Sequence, residues 1–193
     1  MSQKISEDYL PPVLELAQRR GHKVFSYGDY DLNIIGLRTR ERSSTFCDKL
    51  AVAYTLNGLW RVEWFACTTM PTKAYLTHPM NSKGCAILAP GQHRGVYRIG
   101  LHNGRPALVQ QGNVVTVFRD SDLDAIPETE GNPLDTGFLG INIHDLRGNE
   151  LYASAGCTVL RHETGLDRLL FLANKQVQVR GWHNFSYTLI EED

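Results

Sequence analysis

The sequence predicts a mainly β protein of the α+β class, with a helix near each end. Three observations predict it. Short apolar runs punctuated by Gly, Pro and Asn recur along most of the chain. Asn57-Gly58 joins two such runs, which is a strong hairpin signal. Late in the chain Leu166, Leu169, Leu170 and Ala173 recur at helical spacing, with Asp167 and Arg168 on the opposite face.

Taken in order, residues 5–20 predict the first helix. Leu10, Val13, Leu14 and Ala17 supply its apolar face, Ser6 is a candidate cap, Pro11-Pro12 fit only near a first turn, and Gly21 stops it. Strands are expected at 32–37, 50–54, 60–65, 85–88, 95–99, 106–110, 114–119, 138–143, 157–161 and 185–191. Many short strands of this kind build an antiparallel or mixed β-sandwich or barrel. Trp60, Trp64 and Phe65 lie in the hairpin and read as core.

Composition excludes several classes. Of 193 residues, 42% are hydrophobic and 21% charged, enough apolar material for a full core and too little charge for a disordered tail. Twenty basic residues face 21 acidic ones, a net charge of −1, so no large positive field exists to hold nucleic acid or an anionic membrane. No apolar run approaches the roughly 20 residues that span a bilayer. The start MSQKISEDYLPP has no apolar h-region, which predicts synthesis in the cytoplasm without a Sec-type signal.

The cysteines at 47, 67, 85 and 157 form no C-x-x-C pair, which argues against a zinc ribbon or a thioredoxin motif. Cys47, Cys67 and Cys85 sit in β-like apolar runs and read as inert core thiols. No metal or other cofactor is expected. Asp120-Ser121-Asp122-Leu123-Asp124 resembles the start of a calcium loop, but Ala125 and Gly131 stand where such a loop needs Gly and Glu. A solvated acidic turn is the default there.

The chemistry centres on one window. Gly140-Ile141-Asn142-Ile143-His144 ends a strand pattern in a histidine, and Ser154-Ala155-Gly156-Cys157 follows thirteen residues later. A cysteine nucleophile needs a nearby base, because a free thiol near pKa 8.5 is only slightly ionised at neutral pH. It also needs backbone N–H groups on a tight turn to hold an oxyanion. Gly156 lacks a Cβ and would let a carbonyl approach. Alone, Cys157 reads as a core thiol and His144 as a structural histidine; their place in one window adds nucleophile and base as the alternative.

The stretch I-N-I-H…S-A-G-C resembles the signature of L,D-transpeptidase (YkuD-type) catalytic domains, a strand-end I-x-H followed by S-[HR]-G-C-[IV]-R. Pro90-Gly91-Gln92-His93-Arg94-Gly95-Val96-Tyr97-Arg98-Ile99 is similar to that family's T-P-x-G-x-[FY]-x-I element. Asp31-Leu32-Asn33-Ile34-Ile35-Gly36-Leu37-Arg38, G-V-Y-R-I-G-L-H, A-L-V-Q and G-I-N-I-H together resemble a phage- and prophage-associated branch linked to cell-wall lysis. The resemblance covers roughly residues 31–193. It implies a YkuD-like catalytic domain there, with residues 1–30 as a helical appendage.

The resemblance further implies the roles. Cys157 attacks a peptide carbonyl, and His144 is the general base, oriented by the backbone carbonyl of Asp145. The N–H groups of Gly156 and Cys157, with Ala155, form the oxyanion hole, and Ser154 holds the turn or touches the acyl intermediate. His102 in G-L-H-N-G is a candidate cleft residue. Two departures stand out. The family has His or Arg where this chain has Ala155, and Arg where it has Val159. Arg161 lies on the same strand face but roughly 6–7 Å further along.

The expected function is a cysteine peptidase that cleaves stem-peptide or cross-bridge amide bonds of bacterial peptidoglycan, acting as a phage endolysin in the periplasm or wall after release. An L,D-transpeptidase forming 3-3 cross-links, a secretion-system wall-degrading effector, and a non-catalytic wall-binding or virion protein are the alternatives. A monomer is expected, with peptidoglycan as partner and neither nucleic acid nor a stable membrane association.

Overall fold

A computed structural model describes residues 9–39, 46–146 and 153–192. Its strands are β1 (Asn33–Arg38), β2 (Asp48–Leu56), β3 (Leu59–Thr68), β4 (Cys85–Leu88), β5 (Gly91–His102), β6 (Arg105–Gln110), β7 (Val115–Asp120), β8 (Leu134–Gly137), β9 (Ile143–Asp145), β10 (Thr158–Leu160) and β11 (Phe185–Glu191). Its helices are α1 (Pro12–Arg19), α2 (Lys73–Thr77) and α3 (Glu163–Arg180). The protein is mainly β, as the sequence predicts.

Strands close a barrel in the order β1-β11-β5-β6-β9-β10-β3-β2, and β4-β7-β8 form a separate small sheet. The β1–β11 and β9–β10 pairs are parallel and the other pairs antiparallel. Closure removes the exposed strand edges that would otherwise invite pairing with other chains. The β2–β3 hairpin turns at Asn57 and Gly58, both with positive φ. A type I′ turn needs that geometry, and Asn-Gly supplies it.

One large cluster fills the interior. Ile34, Leu50, Val52, Leu108, Ile143, Leu160 and Tyr187 from the barrel pack in it with Leu166, Leu169 and Leu172 of α3. Alternation sends Ile35, Ala51, Ala53 and Ile190 to the outer wall, where Val13, Leu14 and Ala17 of α1 cover them. The segment expected as an appendage therefore lies packed against the barrel. Burying Leu14 fully contributes about 1.5–3 kcal/mol.

Several boundaries differ from expectation. Helix α1 begins at Pro12, with the Pro11 carbonyl accepting from Leu14 and Glu15 N–H; the expected cap Ser6 lies outside the described residues. Helix α3 runs on to Arg180, where Gly181 in the left-handed region closes it. The polar stretch from Asn174 hid this extension, because Gln176 points inward and its Oε1 accepts the Leu32 N–H. Trp64 is exposed, while Trp60 and Phe65 pack against the two clusters. Among the described residues, no helix is long and apolar enough to cross a membrane.

A buried polar knot ties β1, β2, β11 and the end of β3. The Arg38 side chain is wholly buried. Its Nε and Nη2 donate to Thr69 Oγ1 and the Thr69 carbonyl, and Nη1 pairs with Glu191 at 3.0 Å. Asp48 accepts from the Thr69 and Thr39 N–H groups. Lysine cannot reproduce this three-way fork. Arg38→Ala is expected to lower unfolding free energy by about 3–5 kcal/mol, seen as a lower urea midpoint, because buried partners lose their pairing. Arg38→Lys should recover only part of the loss.

Candidate active site

The parallel β9–β10 pair builds the site. Thr158 pairs with Ile143, Val159 with His144 and Leu160 with Asp145. Alternation then turns Ile143, Thr158 and Leu160 to the barrel interior and Asn142, His144, Cys157 and Val159 to the outer face. The Thr158 N–H extends the ladder by donating to the Asn142 carbonyl. His144 and Cys157 thus stand side by side on one wall. They face a cleft of about 570 Å³ whose far side comes from β4 and β7 of the small sheet.

The histidine tautomer follows from its partner. His144 Nδ1 lies 2.8 Å from the Asp145 carbonyl, which can only accept. Nδ1 therefore carries the proton, and Nε2 is the basic nitrogen. One ligand-type atom from each of Cys157, His144 and His102 lies within 4.8 Å of the others. The His102 and His144 rings sit 4.9 Å apart, centroid to centroid. His102 thus belongs to the cleft.

Asn142 sets the second ring. Its Oδ1 accepts the Gln110 N–H at 2.9 Å, which assigns Nδ2 as the donor to His102 Nδ1 at 3.1 Å. His102 is then the neutral Nε2–H tautomer. The Asn142 backbone N–H also points at Cys157 Sγ, 3.4 Å away. The Cys157 thiol in turn donates to the Gly140 carbonyl at 3.5 Å.

The turn before Cys157 is stapled by Ser154. Its hydroxyl accepts the Gly156 N–H at 3.0 Å and donates to the Cys157 carbonyl at 2.8 Å. Ser154 therefore holds the turn. Gly156 departs from its expected oxyanion role, because the serine hydroxyl takes its N–H. The space its missing Cβ leaves is also filled by this chain. An added Cβ would sit 2.6 Å from the Ala86 carbonyl of β4, and φ is +126°. The close approach is between turn and small sheet.

The other expected residues divide. Ala155 lines the cleft beside Cys157. Asp145 contributes its carbonyl to His144, while its carboxylate is buried and lies 3.6 Å from Arg105. Arg161 is exposed past the end of β10, with its N–H on the Ala66 carbonyl, and is absent from the cleft lining. One residue beyond the strand the chain enters the turn into α3, so the alternation that would aim Arg161 at the cleft has ended.

The cleft also holds residues that the motif did not mark. Arg119 of β7 is the only Lys, Arg, Asp or Glu lining it among the described residues. Asp135 at 2.9 Å and the Gly84 carbonyl at 3.2 Å fix its guanidinium. Cys85 lines the cleft as well, and burial, with Asp120 nearby, pushes its thiol up to about 12, so it stays protonated. Burial likewise holds the Cys67 thiol well above its usual range.

Residues 138–142, expected as strand, form a loop on the cleft rim. Gly140 has φ +74° and breaks the extension. Gln110 substitutes for a strand neighbour: its Oε1 accepts from Leu139 and Ile141, and Nε2 donates to the Gly137 carbonyl. Asp120, Asp122 and Asp124 each accept a backbone N–H within their own loop. His102, His144 and Cys157 could together hold a soft divalent metal, since two imidazoles and a thiolate suit zinc.

Gly156→Ala is expected to destabilise the fold by about 3 kcal/mol, because left-handed backbone strain adds to a backbone clash. Urea unfolding should show the loss. Alkylation of Cys157, followed by peptide mass mapping, should change in rate as the turn shifts.

No protein-family model, curated protein or solved structure matches this chain.

Proposed function

We propose that the protein is a cysteine peptidase that cleaves amide bonds in the peptide part of bacterial peptidoglycan. The observation that carries the reading is the Cys157–His144 pair on one barrel wall, with His144 Nδ1 donating to the Asp145 carbonyl. The motif resemblance to L,D-transpeptidase (YkuD-type) domains supplies the substrate class, and a YkuD-like architecture for the barrel is part of the proposal.

In this reading His144 Nε2 takes the thiol proton as Cys157 Sγ attacks the scissile carbonyl carbon. The Asn142 N–H helps hold the sulfur charge before attack. The tetrahedral intermediate collapses, His144 gives its proton to the leaving amine, and a thioester remains on Cys157. Water then gives a proton to His144 and its hydroxide to the acyl carbon. The C–S bond breaks, the proton returns to sulfur, and a new carboxylic acid leaves and gives its own proton to solvent. His102 presents Nε2–H as a further donor at the cleft.

Cys157→Ala should abolish release of peptide fragments from purified peptidoglycan while the fold stays intact. His144→Ala should lower the rate about 10²–10⁴-fold. Mass spectrometry of the digest should show new amino and carboxyl termini on stems, with disaccharides intact. New 3-3 cross-links without net cleavage would make the enzyme a transpeptidase that uses an amine in place of water. Reducing sugar ends would overturn the peptide-bond reading, since glycoside cleavage typically uses a carboxylate pair. Full activity in Cys157→Ala would overturn the mechanism.

A second reading has its own observation: the His102, His144 and Cys157 cluster has the donor set of a metal site. In the thiol mechanism, activity survives EDTA and is lost with iodoacetamide. Loss in EDTA with recovery in zinc would reassign all three residues as ligands.

A further inference from the structure

A second cavity, of about 870 Å³, opens between the segment that follows α1 and the C-terminal end of α3. It shares no lining residue with the catalytic cleft. Lys23, Arg94 and Arg98 line it, and all three are exposed. Its only acidic lining residue among the described residues, Asp31, is buried and accepts the Tyr27 N–H at 2.9 Å. A chain of net charge −1 thus gathers three cations at one opening. Such a focus draws anions.

Two rings stand at the same opening. Tyr27 is 80% exposed and Trp182 42% exposed, with centroids 5.7 Å apart and planes inclined by 52°. Arg180 lies over both, 5.1 Å from the Tyr27 centroid and 5.5 Å from that of Trp182. Gly28 makes room for it, since an added Cβ there would collide with the guanidinium. Large exposed aromatics usually cost stability, yet here an arginine is committed to holding them.

The cations are set in advance as well. Arg98 Nε donates to Asn184 Oδ1 at 2.8 Å, and Arg94 lies over the Phe25 ring at 5.2 Å. Positioned side chains lose less rotamer entropy when a ligand arrives. Splayed rings suit the apolar face of a pyranose, and Asn184 and Ser26 offer partners for its hydroxyls.

We infer that this cavity is a binding site for an anionic saccharide, a sugar carrying a carboxylate or phosphate. The cations take the charge and the Tyr27–Trp182 pair takes the ring. The inference stands apart from the peptidase reading, because binding is measured without turnover. Along β5, Arg98 and the cleft residue His102 are separated by about 13 Å.

Isothermal titration of the full chain with tetragalacturonate tests it, with chitotetraose as the uncharged sugar, inorganic phosphate as the sugarless anion, and octathymidylate as the nucleic acid. Saturable binding of tetragalacturonate is expected, stronger than of the other three. Tyr27→Ala and Arg98→Gln should each weaken it about tenfold or more. Circular dichroism should show both variants folded, and a variant that unfolds is replaced by Arg94→Gln for the same reading. Equal binding of phosphate would make the site a plain anion site, and tighter binding of octathymidylate would make it a nucleic-acid site. Either result overturns the inference, as does no binding at all or binding unchanged by the variants.

Discussion

The register between β9 and β10 is the constraint on which the site depends. Among the described residues three pairs define it. A slip by one residue would turn His144 into the barrel and leave Cys157 without its neighbour. So short a parallel pair has little strength of its own, and its surroundings hold it. Val159 and Leu160 pair with Thr68 and Cys67 of β3, and Ile143 pairs with Leu108 of β6. The inward side chains are fully or almost fully buried. Barrel closure therefore fixes a geometry that two free strands could not keep, and His144 and Cys157 sit on a rigid wall.

Around that wall, side chains do the work of missing strand partners. Gln110 satisfies three backbone groups of the 137–141 loop, Ser154 satisfies two in the turn before Cys157, and Asn142 joins β6 to His102. Each is buried, so each unmet group would cost about 1–3 kcal/mol. Irregular backbone is thereby made as fixed as a ladder, and the chain gains a concave rim where a regular sheet would be flat. The same substitution explains why Gly156 has no N–H to spare. The turn is held by that donor.

How much of this could be read from residues alone varies with the range of the interaction. The hairpin at Asn57-Gly58, most strands and the start of the late helix were legible because local spacing and turn chemistry decide them. The His144 and Cys157 pair was legible because motif and spacing fall in one window. The loop at 138–142 was not, because its apolar alternation matches a strand and only Gln110, nearly thirty residues upstream, shows otherwise. Arg119 carried no local mark; it reaches the cleft through the small sheet, whose docking depends on the close approach of Gly156 to Ala86. Arg161 misled in the opposite sense, since alternation was extended one residue past the end of its strand.

Charge follows the same logic. The near balance of acids and bases excludes a molecule-wide field but says nothing of local ones. Three carboxylates near the cleft and barrel are already committed: Glu63 to Arg168, Asp135 to Arg119 and Lys83, Glu191 to Arg38. Pairing of this kind cancels the field of both members beyond a few ångströms. What remains is set by cations whose partners are neutral, such as Arg98 on Asn184 and Arg94 on Phe25. A near-neutral chain can therefore present a strongly positive opening, because neutral amides and rings position its arginines without cancelling their charge.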